Sequence, residues 1–292
     1  MRTVKLIVAA AILLTAAHLS AARPLAVLKL EPYRKSVAIR IEANGQKGLF
    51  TLDTAGGITL ISPDFAKAIG CRPWGQIVGF RMGGDKLATE RCDNLVFSAS
   101  GHRLTVPVAS VLDVTPLIAK GAEPIDGSLA LDAFAGQTIT IDFAGGTLTI
   151  ETPGSVAERV RAATAVPIHL LREVGARALT PVVDVSTAKG TLRFELDSGN
   201  GGTLLVSKPY AKLFGLDPEA PRPEQGAIAI APGIVAKGLV FTPDLIIDGN
   251  LGMPFLKDWA VTLDLAAGRM WLKRSRFTPP PGMGAPPVVP KN

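Results

Sequence analysis

The sequence predicts an all-β chain with a few short helices, folded as two similar lobes with a cleft between them. Three observations carry that prediction. Two stretches 144 positions apart nearly repeat, Phe50-Thr51-Leu52-Asp53-Thr54-Ala55-Gly56-Gly57 and Phe194-Glu195-Leu196-Asp197-Ser198-Gly199-Asn200-Gly201. A second echo, 122 positions apart, ties Ile125-Asp126-Gly127-Ser128-Leu129-Ala130 to Ile247-Asp248-Gly249-Asn250-Leu251-Gly252. Self-similarity of this kind marks a duplicated structural unit. Short apolar alternations bounded by Gly, Asn and Asp also recur along the chain, as strands joined by tight turns require.

The elements follow in order. Residues 1–22 join a basic start (Arg2, Lys5), an apolar run from Leu6 to Leu19 and the small residues Ser20-Ala21-Ala22, the three parts of an export signal. Cleavage near Ala22 would leave the mature chain periplasmic or secreted. An uncleaved anchor is the competing reading, but the run is shorter than the ~20 residues a span needs, so no stable membrane insertion is expected after cleavage. Val37, Ile39 and Ile41 alternate up to Asn44-Gly45, and Gly48 to Leu52 resumes the pattern, a hairpin signal that Thr180 to Val185 and Thr191 to Leu196 repeat. Each acid, Asp53 or Asp197, stands at the end of the second strand. Ser62-Pro63 and Ser207-Lys208-Pro209 then read as starts of short helices that stop at Gly70 and Gly215. Residues 153–165 read as a surface linker between a first lobe at 23–152 and a second at 166–276. The tail at 277–292 holds six of the 23 prolines and is expected to be disordered or extended.

Composition narrows the function. With 47% hydrophobic residues but only 5% aromatic, the chain can bury a core of small side chains, which excludes a disordered protein. The net charge is +6, yet no run of Lys or Arg interleaves with aromatics, so no nucleic-acid partner is expected. His18, His102 and His169 are scattered without ligand spacing, so no metal and no cofactor are expected. The two cysteines, Cys71 and Cys92, could be a metal site or a nucleophile, but an even pair in an exported chain favours a disulfide.

The chemistry lies in the paired acids. A single Asp after a strand is an ordinary turn residue; two in matched contexts point to carboxylates brought face to face across a pseudo-twofold axis. Asp126 and Asp248, each before a glycine, and Asp142 and Asp264, each before a hairpin turn, read as structural. Trp74, Trp259 and Trp271 read as core or rim packing.

The Asp-Thr-Ala-Gly and Asp-Ser-Gly-Asn turns, with their later partners around Leu129-Ala130 and Leu251-Gly252, resemble the retropepsin-like and pepsin-like aspartic peptidases in a two-lobed, single-chain bacterial form. The resemblance covers roughly residues 25–272. It implies two β-barrel lobes of the acid-protease type and an aspartic endopeptidase in which Asp53 and Asp197 activate a water against an extended peptide or unfolded polypeptide. It further implies that Thr54 and Ser198 lock the two turns together. Gly56 and Gly199 would allow close backbone approach and positive φ. Phe80-Arg81-Met82-Gly83-Gly84-Asp85 offers the tip of a mobile hairpin over the cleft, and equally an ordinary exposed turn. The molecule is expected to act as a monomer. The sequence departs from the family pattern at Ala55 and Ala130, where the second lobe has Gly199 and Gly252. Those departures motivate the alternative, a peptide-binding or scaffold protein that keeps the architecture without turnover.

Overall fold

Alternating burial along the first three strands shows how the chain begins to fold. The structure, a computed structural model, describes residues 23–118 and 121–286; the expected export signal lies outside the described residues. Strands β1 (Ala26–Tyr33), β2 (Ser36–Ala43) and β3 (Gln46–Asp53) form an antiparallel meander. β2 buries Val37, Ile39 and Ile41 and turns Arg40 and Glu42 outward. Asn44 and Gly45 close the β2–β3 turn at φ 47° and 77°, a left-handed pair that these two residue types adopt at low cost.

The first lobe continues with β4 (Leu60–Ile61), β5 (Trp74–Phe80), β6 (Lys86–Ala99), β7 (His102–Val111), β8 (Gly127–Ala130), β9 (Thr138–Asp142) and β10 (Thr147–Ile150). β8 lies parallel to β3, with Ala130 opposite Asp53, and antiparallel to β4. That crowding explains Gly127: a Cβ there would stand 2.2 Å from the Leu60 carbonyl oxygen.

The second lobe repeats the plan with β11 (Thr164–Leu171), β12 (Thr180–Thr187), β13 (Gly190–Leu196), β14 (Leu204–Val206), β15 (Glu224–Ala231), β16 (Ile234–Phe241), β17 (Gly249–Leu251), β18 (Trp259–Asp264) and β19 (Arg269–Arg274). β17 runs parallel to β13 and antiparallel to β14, as β8 does to β3 and β4. The Asp-Gly steps prove structural. Asp126 Oδ2 accepts from the Leu49 N–H and Asp248 Oδ2 from the Arg193 N–H, both at 2.8 Å.

A sheet ordered β1-β10-β9-β18-β19-β11 joins the lobes. At its centre Thr140 faces Thr262 and their hydroxyls lie 2.9 Å apart, which places the pseudo-twofold axis between β9 and β18. One apolar core runs from Leu28 and Phe50 in the first lobe to Phe194 and Leu272 in the second. The architecture is therefore all-β with short helices, built as two pseudo-symmetric lobes.

Two segments show detail beyond the sequence reading. The linker contains a helix, Pro153–Arg159, whose start Thr152 and Ser155 cap reciprocally and whose Arg159 pairs with buried Glu151 at 2.9 Å. Of the tail expected to be disordered or extended, residues 277–286 are described, and the rest lies outside the described residues. Met283 is buried in the main core and the Gly284 N–H donates to the Lys35 carbonyl at 3.0 Å, so one apolar side chain anchors a segment whose proline content alone argued for disorder or extension. Cys71 and Cys92 form a disulfide with a Cα–Cα distance of 6.2 Å. Among the described residues no helix is long and apolar enough to cross a membrane.

Candidate functional site

Each acid is delivered by a buried strand that ends against the other lobe. Leu52 and Leu196 fix the ends of β3 and β13 in the core, so the residues that follow must turn toward the axis. There the two turns interlock. The Thr54 hydroxyl donates to the Leu196 carbonyl at 2.6 Å, and the Ser198 hydroxyl to the Leu52 carbonyl at 2.7 Å. In return each oxygen accepts the other turn's backbone N–H, Thr54 to Ser198 Oγ at 3.0 Å and Ser198 to Thr54 Oγ1 at 2.9 Å. Four crossed hydrogen bonds, all buried, thus fix the two turns relative to each other.

This brings Asp53 and Asp197 together, and their carboxyls hydrogen-bond one another. Their surroundings are unequal. Asp53 Oδ1 accepts from the Ala55 N–H at 3.1 Å. Asp197 Oδ1 accepts from the N–H groups of Gly199 at 2.7 Å and Asn200 at 3.1 Å, and its Oδ2 accepts from the Asn250 side-chain amide at 2.7 Å. Burial, then the charge of Asp197, holds the Asp53 carboxyl well above the usual carboxylate range. Burial also raises Asp197, but the donors around it oppose that shift. Donors stabilise an ionised carboxylate, so the negative charge resides on Asp197 and the shared proton on Asp53.

The pattern of supporting glycines is not the expected one. Neither Gly56 nor Gly199 has positive φ; that conformation falls on the next residue of the first turn, Gly57, at 70°. Their use is close approach. A Cβ on Gly199 would lie 2.8 Å from Asp53 Oδ2 and 3.0 Å from Asp197 Oδ1, and one on Gly56 would lie 3.2 Å from Asp53 Cγ. Ala55 also lacks positive φ, and Ala130, fully buried, sits at φ −98°, so neither alanine strains the first turn.

Two loops cross between the lobes beside this centre. The Lys35 side chain packs near Gly201, and the Ser36 hydroxyl donates to the Ser198 carbonyl at 2.5 Å. From the second lobe, the Leu179 N–H donates to the Gly57 carbonyl at 2.8 Å. The hairpin of β5 and β6 turns through Arg81, Met82, Gly83 and Gly84, and Gly84 at φ 89° closes the turn. Its tip reaches the other lobe, where the Ile246 N–H donates to the Met82 carbonyl at 3.0 Å. Phe80 and Ile246 on either side of that contact are both 62% exposed.

Sequence reading missed Asn200, Asn250 and Glu195. Asn200 Nδ2 donates to Asn250 Oδ1 at 2.9 Å and to the Thr203 carbonyl at 2.8 Å, while Asn250 also hydrogen-bonds Glu195. The signal was present in the repeat: Asn200 stands where the first turn has Gly56, and Asn250 where β8 has Ser128. Burial, then the charge of Asp197, raises Glu195 to about 8. Among the described residues no group of three or more His, Cys, Asp and Glu could hold a metal ion.

Comparison with solved structures places the chain beside two seed globulins. It is similar to basic 7S globulin from soybean, with a TM-score of 0.54 and 11% identity over 85% of this chain and 94% of that one. It is likewise similar to conglutin gamma, described as a unique basic 7S globulin from lupine seeds, with a TM-score of 0.54 and 10% identity over 87% of this chain and 96% of that one. No family model and no curated protein matches the sequence. At such identity the likeness shows the fold alone, and both structures named are globulins. It overturns both the expected membership in the retropepsin-like and pepsin-like peptidases and the expected endopeptidase. The physical reason lies in the turns. The crossed bonds of Thr54 and Ser198 and the amides received by Asp53 and Asp197 join the lobes, so the repeated motif belongs to the architecture whether or not chemistry takes place.

Proposed function

We propose that this chain is an exported, non-hydrolytic protein that holds extended peptide segments in the cleft between its lobes. The observation that carries this reading is the commitment of Asp197. Both its oxygens already take protein donors, one from Asn250 within the lobe, so the pair is organised to satisfy its own turns more than to hold an attacking water. The likeness to globulins supports the same side.

Peptide binding draws on what remains available. β5 has β6 as its hydrogen-bonding neighbour, and its other edge can pair with a strand. Phe80 and Ile246 supply apolar contact at the rim. The disulfide fits an oxidising compartment outside the cytoplasm. A single chain supplies both halves of the cleft, so the protein works as a monomer.

The test uses the mature chain and a fluorescently labelled, unfolded polypeptide. Saturable binding by anisotropy, with the polypeptide intact by mass spectrometry from acid to neutral pH, is the expected result. Fragments that disappear in both Asp53→Asn and Asp197→Asn variants, or an absence of binding, would overturn it.

A further inference from the structure

Beyond β19 the chain crosses back over the junction of the lobes. The Ser275 N–H donates to the Asp258 carbonyl of the second lobe at 2.9 Å, while the Ser275 hydroxyl donates to Asp142 Oδ1 of the first at 2.8 Å. Phe277 lies against the β9–β10 turn, where a Cβ on Gly145 would stand 2.8 Å from its ring. Residues 276–278 and 281–282 are exposed, and then Met283 and Gly284 are buried.

Gly284 is the point where this segment closes on the second acid turn. Its φ is 62°, and its N–H donates to the Lys35 carbonyl at 3.0 Å. A Cβ there would stand 2.9 Å from the Met253 carbonyl carbon and oxygen and 3.0 Å from the Pro254 nitrogen, so the approach requires glycine. Both neighbours reach the acid turn directly. The Lys35 carbonyl oxygen would stand 3.0 Å from a Cβ on Gly201, and the Met253 N–H donates to the Asn200 carbonyl at 2.8 Å. Asn200 in turn gives its own N–H to Asp197 Oδ1 at 3.1 Å and its side-chain amide to Asn250, the donor to Asp197 Oδ2. A continuous series of contacts therefore runs from the tail to the charged acid.

We propose that residues 275–284 are a releasable strap that holds the β1–β2 turn and the short helix Met253–Leu256 against the second acid turn, and that its opening loosens the donors of Asp197 while both lobes stay folded. The strap is built to open alone. It is seated by one core side chain, Met283, and by hydrogen bonds near its two ends, whereas β18 and β19 before it are paired along their whole length. A segment with so few buried contacts opens at a lower free energy than the core. Opening gives the Lys35 carbonyl and the Met253 backbone to solvent, and the Asn200 end of the turn loses its outer support.

This inference does not depend on peptide binding, and its test uses the full chain without ligand. Hydrogen exchange is followed at the Asn200 and Met253 amides, with the amides paired between β6 and β7 of the first lobe as the reference. Met283→Ala removes the anchor, and protection at Asn200 and Met253 falls by about tenfold or more while the reference falls less. Unchanged protection at those two amides, or a fall no greater than the reference's, overturns the proposal. If Met283→Ala does not fold, Gly284→Ala decides, because its methyl unseats the end of the strap and leaves the apolar core intact. A larger fall at Asn200 than at the reference upholds the strap, and an equal fall or none overturns it.

Discussion

The two acid turns occupy equivalent places yet solve the same crowding problem differently. In the second lobe the Asn200 carbonyl points at the following motif and accepts from the Met253 N–H at 2.8 Å. Position 252 must therefore be glycine, since a Cβ there would stand 2.4 Å from that oxygen. In the first lobe the Gly56 carbonyl bends back to the Ile58 N–H at 2.8 Å, and Ala130 fits, fully buried. The alanines that look like losses in the sequence are thus partners of a differently routed turn. The lobes also anchor their turns with different residues. Asp132 binds Thr59 in the first, with Oδ1 accepting from the hydroxyl at 2.7 Å and Oδ2 from the N–H at 3.1 Å. Asn200 and Asn250 serve in the second. One lobe spends its polar groups on its own loop and the other on the carboxylate, and the negative charge of the pair follows the second.

That asymmetry can be broken most severely at the glycines. Gly252→Ala and Gly199→Ala each force a methyl into backbone or carboxylate, and each is expected to lower the unfolding free energy in urea by about 3 kcal/mol. Asn250→Ala comes next. It removes the donor to Asp197 Oδ2 and one of the two acceptors of the Asn200 amide, which keeps the Thr203 carbonyl, for a loss of about 2 kcal/mol by the same measurement.

A subtler contrast separates the acids. Asp53→Asn replaces a neutral carboxyl by a neutral amide and is expected to cost less than Asp197→Asn, which turns an amide toward N–H donors. The parent should also lose stability as pH rises. Asp53, Glu195 at about 8 and Asp132 at about 6 all hold protons in the folded state that the unfolded chain releases. Their contribution therefore turns unfavourable above the ordinary carboxylate range and worsens up to each folded value. Urea midpoints measured from about pH 5 to about pH 8 should fall in the parent and fall less in Asp53→Asn. The smallest effect is expected at Ala55→Gly, within about 0.5 kcal/mol, because Ala55 needs no positive φ.

Much of this was legible in the chain before folding. The 144-position echo led to Asp53, Asp197, Thr54 and Ser198, since a duplicated strand-turn can meet its twin only across an axis. The 122-position echo led to Asp126 and Asp248, read as structural and found holding the Leu49 and Arg193 N–H groups. What escaped was set by distant partners. Asn250 reads as half of a common turn pair until β17 places it under Asp197. Nothing local in Val174-Gly175-Ala176 signals left-handedness, because Ile58, Ile77 and Val108 of the other lobe hold that turn down. Met283 is one apolar residue among prolines, and its burial depends on a core built long before it in sequence. The peptidase expectation failed for a related reason: a motif needed to join two lobes carries the same residues as one needed for chemistry.

The most direct measurement is incubation of the mature chain with a labelled, unfolded polypeptide across acid to neutral pH, with binding and mass read from the same samples. The account predicts a bound polypeptide of unchanged mass throughout. Cleavage by the parent that vanishes when either Asp53 or Asp197 becomes Asn would contradict it.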